Sequence, residues 1–514
     1  MDRDLYLRKV LSDHLLDRHT YRELSKRVAE HHLSEIHEYL LYLFENNSST
    51  TQNSLSQQDI KYFSKALHES KYRTPTFYGL IKIHKDPWTI RPVVSCCGSL
   101  LARVSTWVDF HLQRLRHLIP SYIKDSEDLQ HQLSLIHIPP NTRLFTCDAI
   151  SMYTNIDIDH SITVIRDWFD TFQSELPPDF PTAFLIPAIA AIMKNNVFSF
   201  GDTYWLQTSG TAMGTPCACM LATLYFSYHE RTKILPKYAS HIIFYRRFID
   251  DVICLWSPPA HSPSQSTTVF TQLKNDMNNF GKLKWTFEPL SNSTTFLDLH
   301  ITLNSPNISF STYQKPHNLY LYLPPHSAHP PGIIRSLIYG LLRKYWIQNS
   351  NASDFRKMTQ LLFQRLVARG HSPHTLLPLF LTAASNIKQH SPSPSKHNSH
   401  TLTAQHPNEV FLKWKFHPLD ISRRLIQNTY QQTCNLPSFS APGGFRLLHT
   451  DHGTNMRIKK LTIAYTRDHN LRDLLIPSRL PNSSSPTVSS LLSQLRTTNT
   501  HLDTDTSGDE NHQN

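Results

Sequence analysis

The chain has 514 residues, with 51 Lys or Arg against 40 Asp or Glu, which gives a formal net charge of +11. Hydrophobic residues make up 39% and aromatic residues 11%, which excludes a wholly disordered chain. No apolar run approaches the roughly 20 residues that a membrane-spanning helix needs. Charged side chains interrupt the first ten residues throughout, unlike a signal peptide. We therefore expect a soluble, intracellular protein without a membrane partner, whose basic character favours a polyanionic one.

Several common kinds of site are disfavoured by the motifs. The seven cysteines are scattered without paired CxxC knuckles, so a zinc ribbon or a disulfide scaffold is not expected. There is no HExxH pattern for a helical zinc site and no GxxxxGK[ST] loop for nucleotide phosphates.

The predicted elements follow the changing period of the apolar residues along the chain. Helices are predicted over 1–70 in pieces, 100–119, 161–195 and 332–370. Strands are predicted over 76–95 in pieces, 142–153, a pair within 197–207, 242–245, 252–256, 284–288 and 295–303. A turn with the sequence SGTAMGTP should open a further helix, and the Ser/Pro/His-rich run at 390–407 is typical of a linker.

Aspartates stand out at two places in otherwise apolar segments. Asp148 lies inside the predicted strand LFTCDAISMY, and Asp250 and Asp251 separate two apolar strands that should form a hairpin. A charge in such a setting costs several kcal/mol unless it is paired or binds a metal. Aspartate is also common at turns and strand ends, which is the competing interpretation. If the three carboxylates meet on one sheet, they suit Mg²⁺, and two such ions can support phosphoryl transfer on a nucleic acid.

A family resemblance supports the second interpretation. FIDD at 248–251 resembles motif C of reverse transcriptases, and CDAISMY at 147–153 resembles motif A. The wider set resembles the Penelope-like retroelements: YGLIKIHK and RPVVS at 78–95, IPSYIKDSEDL at 119–129, QTSGTAMGTP at 207–216, FLDLHI at 296–301, QKPHNLYLYLPPHSAHPP at 314–331 and HNLRDLLIPSRL at 469–480. These motifs occur in the family's order and span roughly residues 70–480.

The resemblance implies an α+β, right-hand polymerase fold with fingers, palm and thumb. The expected organisation is a helical N-terminal region at 1–70, fingers at 71–145, a reverse transcriptase palm at 146–315, a helical thumb of helix-turn-helix character at 316–385, a linker at 386–407, a small C-terminal unit at 408–480 and a disordered tail at 481–514. No GIY-YIG endonuclease motif follows Leu480, so a nuclease of its own is not expected.

The implied activity is RNA-directed DNA synthesis on a primer 3′-hydroxyl, with an RNA template, a DNA primer or target 3′ end, and dNTPs as partners. Asp148, Asp250 and Asp251 would be the catalytic metal ligands for two Mg²⁺ ions, which Mn²⁺ could replace, with the carbonyl of Ala149 completing the coordination. A nuclear location follows only from the substrate.

The remaining implied roles concern nucleotide and template. Lys82 and Arg91 would neutralise the triphosphate, Tyr153 would exclude the 2′-hydroxyl, and Gln207, Gly210 and Gly214 would lie near the base; Lys85, Phe296, Leu297 and Asp298 would contact template or primer. Each has a plainer alternative: solvated charge for the lysines, a core aromatic for Tyr153, a helix-start turn for the glycines and a palm strand for 296–301. Lys282 and Lys284 are equally placed to protonate pyrophosphate.

Two departures from the family pattern are Phe248 in place of tyrosine and Cys219 in place of proline. Neither changes a metal ligand. Two other functions remain open: a catalytically inactive nucleic-acid-binding protein derived from a retroelement, and a carboxylate-dependent nuclease or phosphatase. Primer extension by wild type and by Asp250→Asn separates all three.

Overall fold

The computed structural model describes residues 2–46, 55–68, 72–82, 87–258, 263–304, 306–316, 318–327, 329–330, 332–389, 409–416, 420–434, 460–467 and 487–505. It is a mixed α/β structure that divides into two compact units. The first contains Met1–His317 and Arg479–Asn514, and the second contains Asn318–Ser478.

The first unit begins with helices and a five-stranded sheet. The N-terminal helices are α1 (Arg3–Val10), α2 (Lys26–Leu41) and α3 (Gln57–Ala66), and the strands are β1 (Tyr21–Leu24), β2 (Thr76–Lys82), β3 (Thr89–Ser95), β5 (Asn196–Phe200) and β6 (Thr203–Gln207), in the order β1-β6-β5-β2-β3. The prediction of an entirely helical 1–70 is wrong at β1, which pairs antiparallel with β6. The reason is tertiary: Tyr21 is buried edge-on against Phe77 and Phe198, which a strand position provides.

A second sheet carries the predicted aspartates. Its strands are β4 (Arg143–Ala149), β7 (Ile242–Phe248), β8 (Asp251–Trp256) and β9 (Trp285–Phe287), in the order β7-β8-β4-β9 and all antiparallel. The predicted strand at 142–153 ends earlier, at Ala149, and Tyr153 lies on the short helix α6 (Met152–Asn155). The hairpin predicted around Asp250 is confirmed.

Helices cover this sheet and supply its core. They are α4 (Leu100–Gln113), α5 (Ser126–Ser134), α7 (Ile158–Thr171), α8 (Thr182–Lys194), α9 (Ala218–His229), α10 (Leu235–Lys237) and α11 (Pro263–Met277). The large buried cluster between them includes Phe145, Trp168 and Trp256. Burial of such aromatic side chains is the main stabilising term for the sheet on which the aspartates lie.

A third, three-stranded sheet follows in the same unit. Its strands β10 (Ser293–Phe296), β11 (Leu299–Asn304) and β12 (Asn307–Thr312) form consecutive hairpins. Phe296, Leu299 and Ile301 pack into a cluster with Leu144 of β4.

Part of the predicted disordered tail at 481–514 is ordered and packs in the first unit. Residues Val488–Asp505 form a helix that we call α16. Its Val488, Leu491 and Leu492 are buried in the N-terminal cluster, and the carboxylate of Asp202 accepts hydrogen bonds from the backbone N–H groups of Val488 and Ser489 at 3.0 and 3.3 Å. Composition alone missed this helix because its apolar stripe is short and lies within a polar segment.

The second unit contains three helices, α12 (Ile333–Gln348), α13 (Ala352–Ala368) and α14 (Pro373–Gln389), whose shared core includes Leu342, Leu362 and Leu376. The helical stretch predicted at 332–370 is confirmed and extends through α14. A parallel strand pair, β13 (Glu409–Phe416) with β14 (Lys460–Arg467), and helix α15 (Arg423–Cys434) follow. The predicted linker lies outside the described residues except for the end of α14, as does the motif at 469–480. Within the described part of the chain, no helix is both long and apolar enough to cross a membrane.

Candidate active site

The tip of the β7–β8 hairpin carries two of the three predicted aspartates. The strands pair up to Phe248 and Asp251, so Ile249 and Asp250 form the connecting turn. Ile249 has a φ of 57°, in the left-handed region that β-branched residues rarely adopt. Such a conformation persists only where surrounding contacts hold it.

Strand β4 brings the third aspartate to the same place. Asp148 lies directly opposite Asp251 in the antiparallel ladder, and residues paired in this way have Cα atoms about 4.5–5.5 Å apart. The backbone N–H of Ala149 donates to the carbonyl oxygen of Asp250 at 3.0 Å. The end of β4 and the hairpin tip are therefore held together, which brings the backbones of Asp148, Asp250 and Asp251 to one end of the sheet.

The three carboxylates repel one another. Burial, with the charges of Asp250 and Asp148 in addition, raises the pKa of Asp251 to about 7. Burial also raises the pKa of Asp250, and the positive charges of Arg91, Arg247 and Lys82 oppose that rise. Like charges at close range destabilise the ionised form unless a cation compensates.

This donor set fits a hard divalent cation, since carboxylate oxygens are the protein ligands that Mg²⁺ prefers. The fit rests on the donor chemistry and on the mutual repulsion. Among the residues that the structure describes, no group of three His, Cys, Asp or Glu side chains stands close enough together to hold a metal ion. The carboxylates share a strand end, but their side chains do not converge as they stand. The role of the Ala149 carbonyl stays a prediction.

Two basic residues of the first sheet act on these aspartates. Lys82 ends β2 and Arg91 lies in the paired strand β3. The positive charge of each residue partly offsets the rise in the pKa of Asp250, and the charge of Arg91 also partly offsets the rise in the pKa of Tyr153. The structure therefore places both predicted triphosphate-binding residues within electrostatic reach of Asp250. Lys85 lies outside the described residues.

Tyr153 lies at the same site but not on a strand. Its hydroxyl is 3.3 Å from the thiol sulfur of Cys219, at the start of α9. Burial raises the pKa of Tyr153, and the contact with Cys219 and the charge of Asp250 raise it further. The phenol therefore stays protonated. Its ring is half-buried against the large hydrophobic cluster, within electrostatic reach of Asp250 and Arg91. Sugar exclusion by this ring stays a prediction.

The two predicted glycines make close approaches to the protein's own backbone. Gly210 has a φ of 77°, and a Cβ there would lie 2.1 Å from the carbonyl oxygen of Tyr153. Gly214 has a φ of 113°, and a Cβ there would lie 2.2 Å from the carbonyl oxygen of Val94. Only glycine avoids both the backbone strain and the overlap. This turn therefore packs between the segment of Tyr153 and strand β3.

Gln207 contacts the start of the turn that contains Gly210 and Gly214. Only 2% of it is exposed. Its amide oxygen accepts from Asn196 at 2.9 Å, and its amide nitrogen donates to the carbonyl of Ser209 at 2.8 Å. These contacts give Gln207 a structural task at the start of the glycine-containing turn; contact with a base stays a prediction.

The predicted primer contacts lie in the third sheet. Phe296 and Leu297 stand at the β10–β11 turn, and Asp298 follows, its carbonyl accepting from Tyr313 at 2.9 Å. The Phe296 side chain is a core residue, buried in the cluster that also holds Leu144, so it has no surface to present to a primer. Contacts by Leu297 and Asp298 stay predictions.

The two candidate proton donors have protein partners. Lys282 forms an ion pair with Asp157 at 2.8 Å, and the Lys284 ammonium donates to the Asn278 carbonyl at 2.8 Å. These contacts do not choose between them.

The sequence analysis gave no role at the site to Cys219, which it noted only as a departure from the family pattern, or to Arg247 and Glu230. Arg247 and Glu230 are both 1% exposed and form an ion pair at 2.7 Å beneath the hairpin. A signal was present, since an arginine at 247 interrupts the apolar run that leads to the aspartates. Its partner Glu230 is on a different element, and sequence pattern does not reveal such a pairing.

Comparison with known proteins gives distant structural likenesses. No family model matches the chain, and no curated protein matches it. Similar solved structures include telomerase from Candida albicans in complex with a telomeric RNA fragment, with a TM-score of 0.40 and 12% identity over 62% of this chain and 57% of that one. Another is the RNA polymerase complex of a dsRNA virus, with a TM-score of 0.38 and 12% identity over 70% of this chain and 32% of that one.

Further similar structures are also polymerases. Apo telomerase from Candida tropicalis matches with a TM-score of 0.36 and 11% identity, over 62% of each chain. The chain thus spans less than two thirds of the length of each of these three neighbours. At such TM-scores and identities the likenesses are too distant to establish a shared fold or activity.

Proposed function

We propose that this chain is a right-hand polymerase of the reverse transcriptase type, similar to those of Penelope-like retroelements. It extends a primer 3′-hydroxyl on an RNA template with deoxynucleotides. The observation that carries the proposal is the placement of Asp148, from β4, at the same strand end as Asp250 and Asp251, from the β7–β8 hairpin. The positive charges of Arg91 and Lys82 act on Asp250.

The charges divide the site into two parts. The aspartates form a negative strand end that suits divalent cations, and the basic residues of β2 and β3 form the complementary part that suits a triphosphate. Arg91 offers a planar fork for two phosphate oxygens, whereas Lys82 acts as a point charge. A nuclease or phosphatase would have no need for the turn at Gly210 and Gly214 that joins these parts.

Asp148, Asp250 and Asp251 would hold two Mg²⁺ ions, which would stabilise the developing charge on the attacking and leaving oxygens. The protein's own residues then position the reactants. Arg91 and Lys82 orient the triphosphate, and the Tyr153 ring lies under the sugar. Phosphoryl transfer asks little covalent help of the protein, so positioning and electrostatics account for most of the rate.

Primer extension tests this proposal. Purified protein with Mg²⁺, an RNA template, an annealed DNA primer and dNTPs should give templated products. Asp250→Asn should reduce extension by at least about 1,000-fold, or about 4 kcal/mol of barrier, and should leave primer–template binding nearly unchanged, since backbone phosphates dominate affinity. Asp170→Asn, which removes the same charge from an exposed position on α7, serves as the matched control and should extend normally.

Each alternative gives a different result. Tight binding of primer–template without extension by wild type would favour the inactive nucleic-acid-binding protein. Metal-dependent cleavage of the primer without synthesis would favour a nuclease. Equal extension by wild type and Asp250→Asn would contradict the assignment of Asp250.

A further inference from the structure

One buried arginine, Arg247, holds the turn that carries Asp250. Arg247 donates from Nε to Glu230 Oε1 at 2.7 Å and from one terminal nitrogen to Glu230 Oε2 at 2.8 Å. The same nitrogen donates to the carbonyl of Thr223 on α9 at 2.8 Å, and the other donates to the carbonyl of Ile249 at 2.8 Å. Arg247 therefore connects α9 to the residue immediately before Asp250.

Glu230 is equally well satisfied. In addition to the arginine, Tyr245 donates its hydroxyl to Glu230 Oε1 at 2.9 Å, and Ser121 donates its hydroxyl to Oε2 at 2.6 Å. The backbone N–H of Arg247 donates to the carbonyl of Ser121 at 2.6 Å. The network thus joins three separate segments, and every charged group in it has several partners.

Stability alone does not account for this arrangement. A buried ion pair is often no more stabilising than well-packed apolar residues of similar volume, because desolvation offsets the attraction. What apolar residues cannot supply is a donor for the Ile249 carbonyl. Ile249 has the unfavourable φ of 57°, and this hydrogen bond helps to hold it there.

We propose that Arg247, held by Glu230, is a positioning residue: it fixes the Ile249–Asp250 turn and thereby orients the Asp250 carboxylate toward the metal site. This inference rests on the proposed function. Lysine cannot replace it, since an ammonium on a flexible stem cannot reach Glu230, Thr223 and Ile249 together. Loss of the fork should leave the fold intact but let the turn move.

The test compares Arg247→Lys with Arg246→Lys, the same change one position earlier. Arg246 is half-buried and donates to Gln132 and to the carbonyl of Tyr245, away from the aspartate turn. Mn²⁺ binding followed by electron paramagnetic resonance reports on the aspartates without requiring activity, and Asp250→Asn marks the loss of the site. Single-nucleotide extension gives kcat and the KM for dNTP, and thermal melting gives stability.

We expect Arg247→Lys to weaken Mn²⁺ binding and to lower kcat by at least about tenfold each, with KM for dNTP close to that of wild type. The melting temperature should fall, because buried acceptors of the guanidinium lose their donors, so binding and rates are measured well below it. Arg246→Lys should match wild type in all four quantities. The pair Arg247→Met with Glu230→Gln, which leaves no unpaired buried charge, should show the same loss; if it does not fold, Arg247→Lys alone decides.

Folded Arg247→Lys with wild-type Mn²⁺ affinity and kcat would overturn the inference, and so would an equal loss in Arg246→Lys. If wild type binds Mn²⁺ but extends no primer, the proposed function fails, while weaker Mn²⁺ binding by Arg247→Lys still supports the positioning role. If wild type binds no Mn²⁺, both fail.

Discussion

Replacing Gly210 with alanine would place a Cβ 2.1 Å from the carbonyl oxygen of Tyr153 and 2.6 Å from the Cα of Thr154. Both atoms belong to the backbone, so neither can rotate away. The φ of 77° adds about 1–2 kcal/mol of backbone strain for an L-residue, and forcing packed groups apart adds about 1–3 kcal/mol. We therefore expect Gly210→Ala to cost about 2–5 kcal/mol of stability in the first unit.

The matched control is Gly340→Ala, in the interior of α12, where a Cβ would meet nothing within 4 Å. There alanine should be favoured over glycine by roughly 0.5–1 kcal/mol. The same change thus has opposite expected signs at the two sites. The second unit has the size for which 1 kcal/mol shifts the melting temperature by about 2–4 °C, and the shift per kcal/mol is smaller in the larger first unit. Thermal melting still distinguishes a fall from a rise.

Primer extension should also differ between Gly210→Ala and Gly340→Ala. Movement of the Tyr153 segment should lower kcat/KM for dNTP in Gly210→Ala, whereas Gly340→Ala should extend primers as wild type does. Unchanged melting and unchanged extension in Gly210→Ala would refute the close approach between the turn and Tyr153.

Two further predictions concern the site and the chain end. Tyr153→Ala should raise ribonucleotide use relative to deoxynucleotide by at least about tenfold, or about 1.4 kcal/mol of discrimination, whereas Tyr153→Phe should keep the selectivity; an unchanged ratio of kcat/KM values in Tyr153→Ala would show that the ring is only a packing residue. Leu491→Ala, at a 1% exposed position of α16, should destabilise the first unit by about 2–5 kcal/mol, whereas exposed Ser493→Ala should change stability by no more than about 0.5 kcal/mol; equal melting temperatures for the two would show that α16 does not pack on the N-terminal cluster.

Local sequence pattern was enough for the elements that carry the aspartates. The hairpin around Asp250 follows from two apolar strands with aspartates between them. The strands β2 and β3 follow from two strand-like segments broken by Asp86-Pro87, but the sequence did not predict that they pair with each other. The strand containing Asp148 was predicted too long. Beyond Ala149 the chain bends through Ser151, which has a φ of 46°, into the helix that carries Tyr153. Nothing in a run of apolar residues marks that bend.

Long-range partners decided the other differences. Strand β1 forms because Tyr21 fits against Phe77 and Phe198, which are distant in sequence. Helix α16 forms in a polar segment because Asp202 accepts hydrogen bonds at its start and its apolar residues are buried in the N-terminal cluster. Neither partner is visible from local periodicity, since both depend on contacts that exist only after the first unit has folded.

The segments of the candidate site are joined mainly through their backbones. The N–H of Thr211 donates to the carbonyl of Tyr153 at 2.7 Å, that of Val94 to Met213 at 2.8 Å and that of Ala149 to Asp250 at 3.0 Å. Such bonds leave little trace in side-chain identity, so the sequence shows them only where a close approach requires glycine, as at 210 and 214. Arg247 differs in that its side chain makes such connections from a buried, charged group. A search for site residues beyond the aspartates should therefore look first for buried charges beneath the turn and for glycines with positive φ, before it considers exposed basic residues.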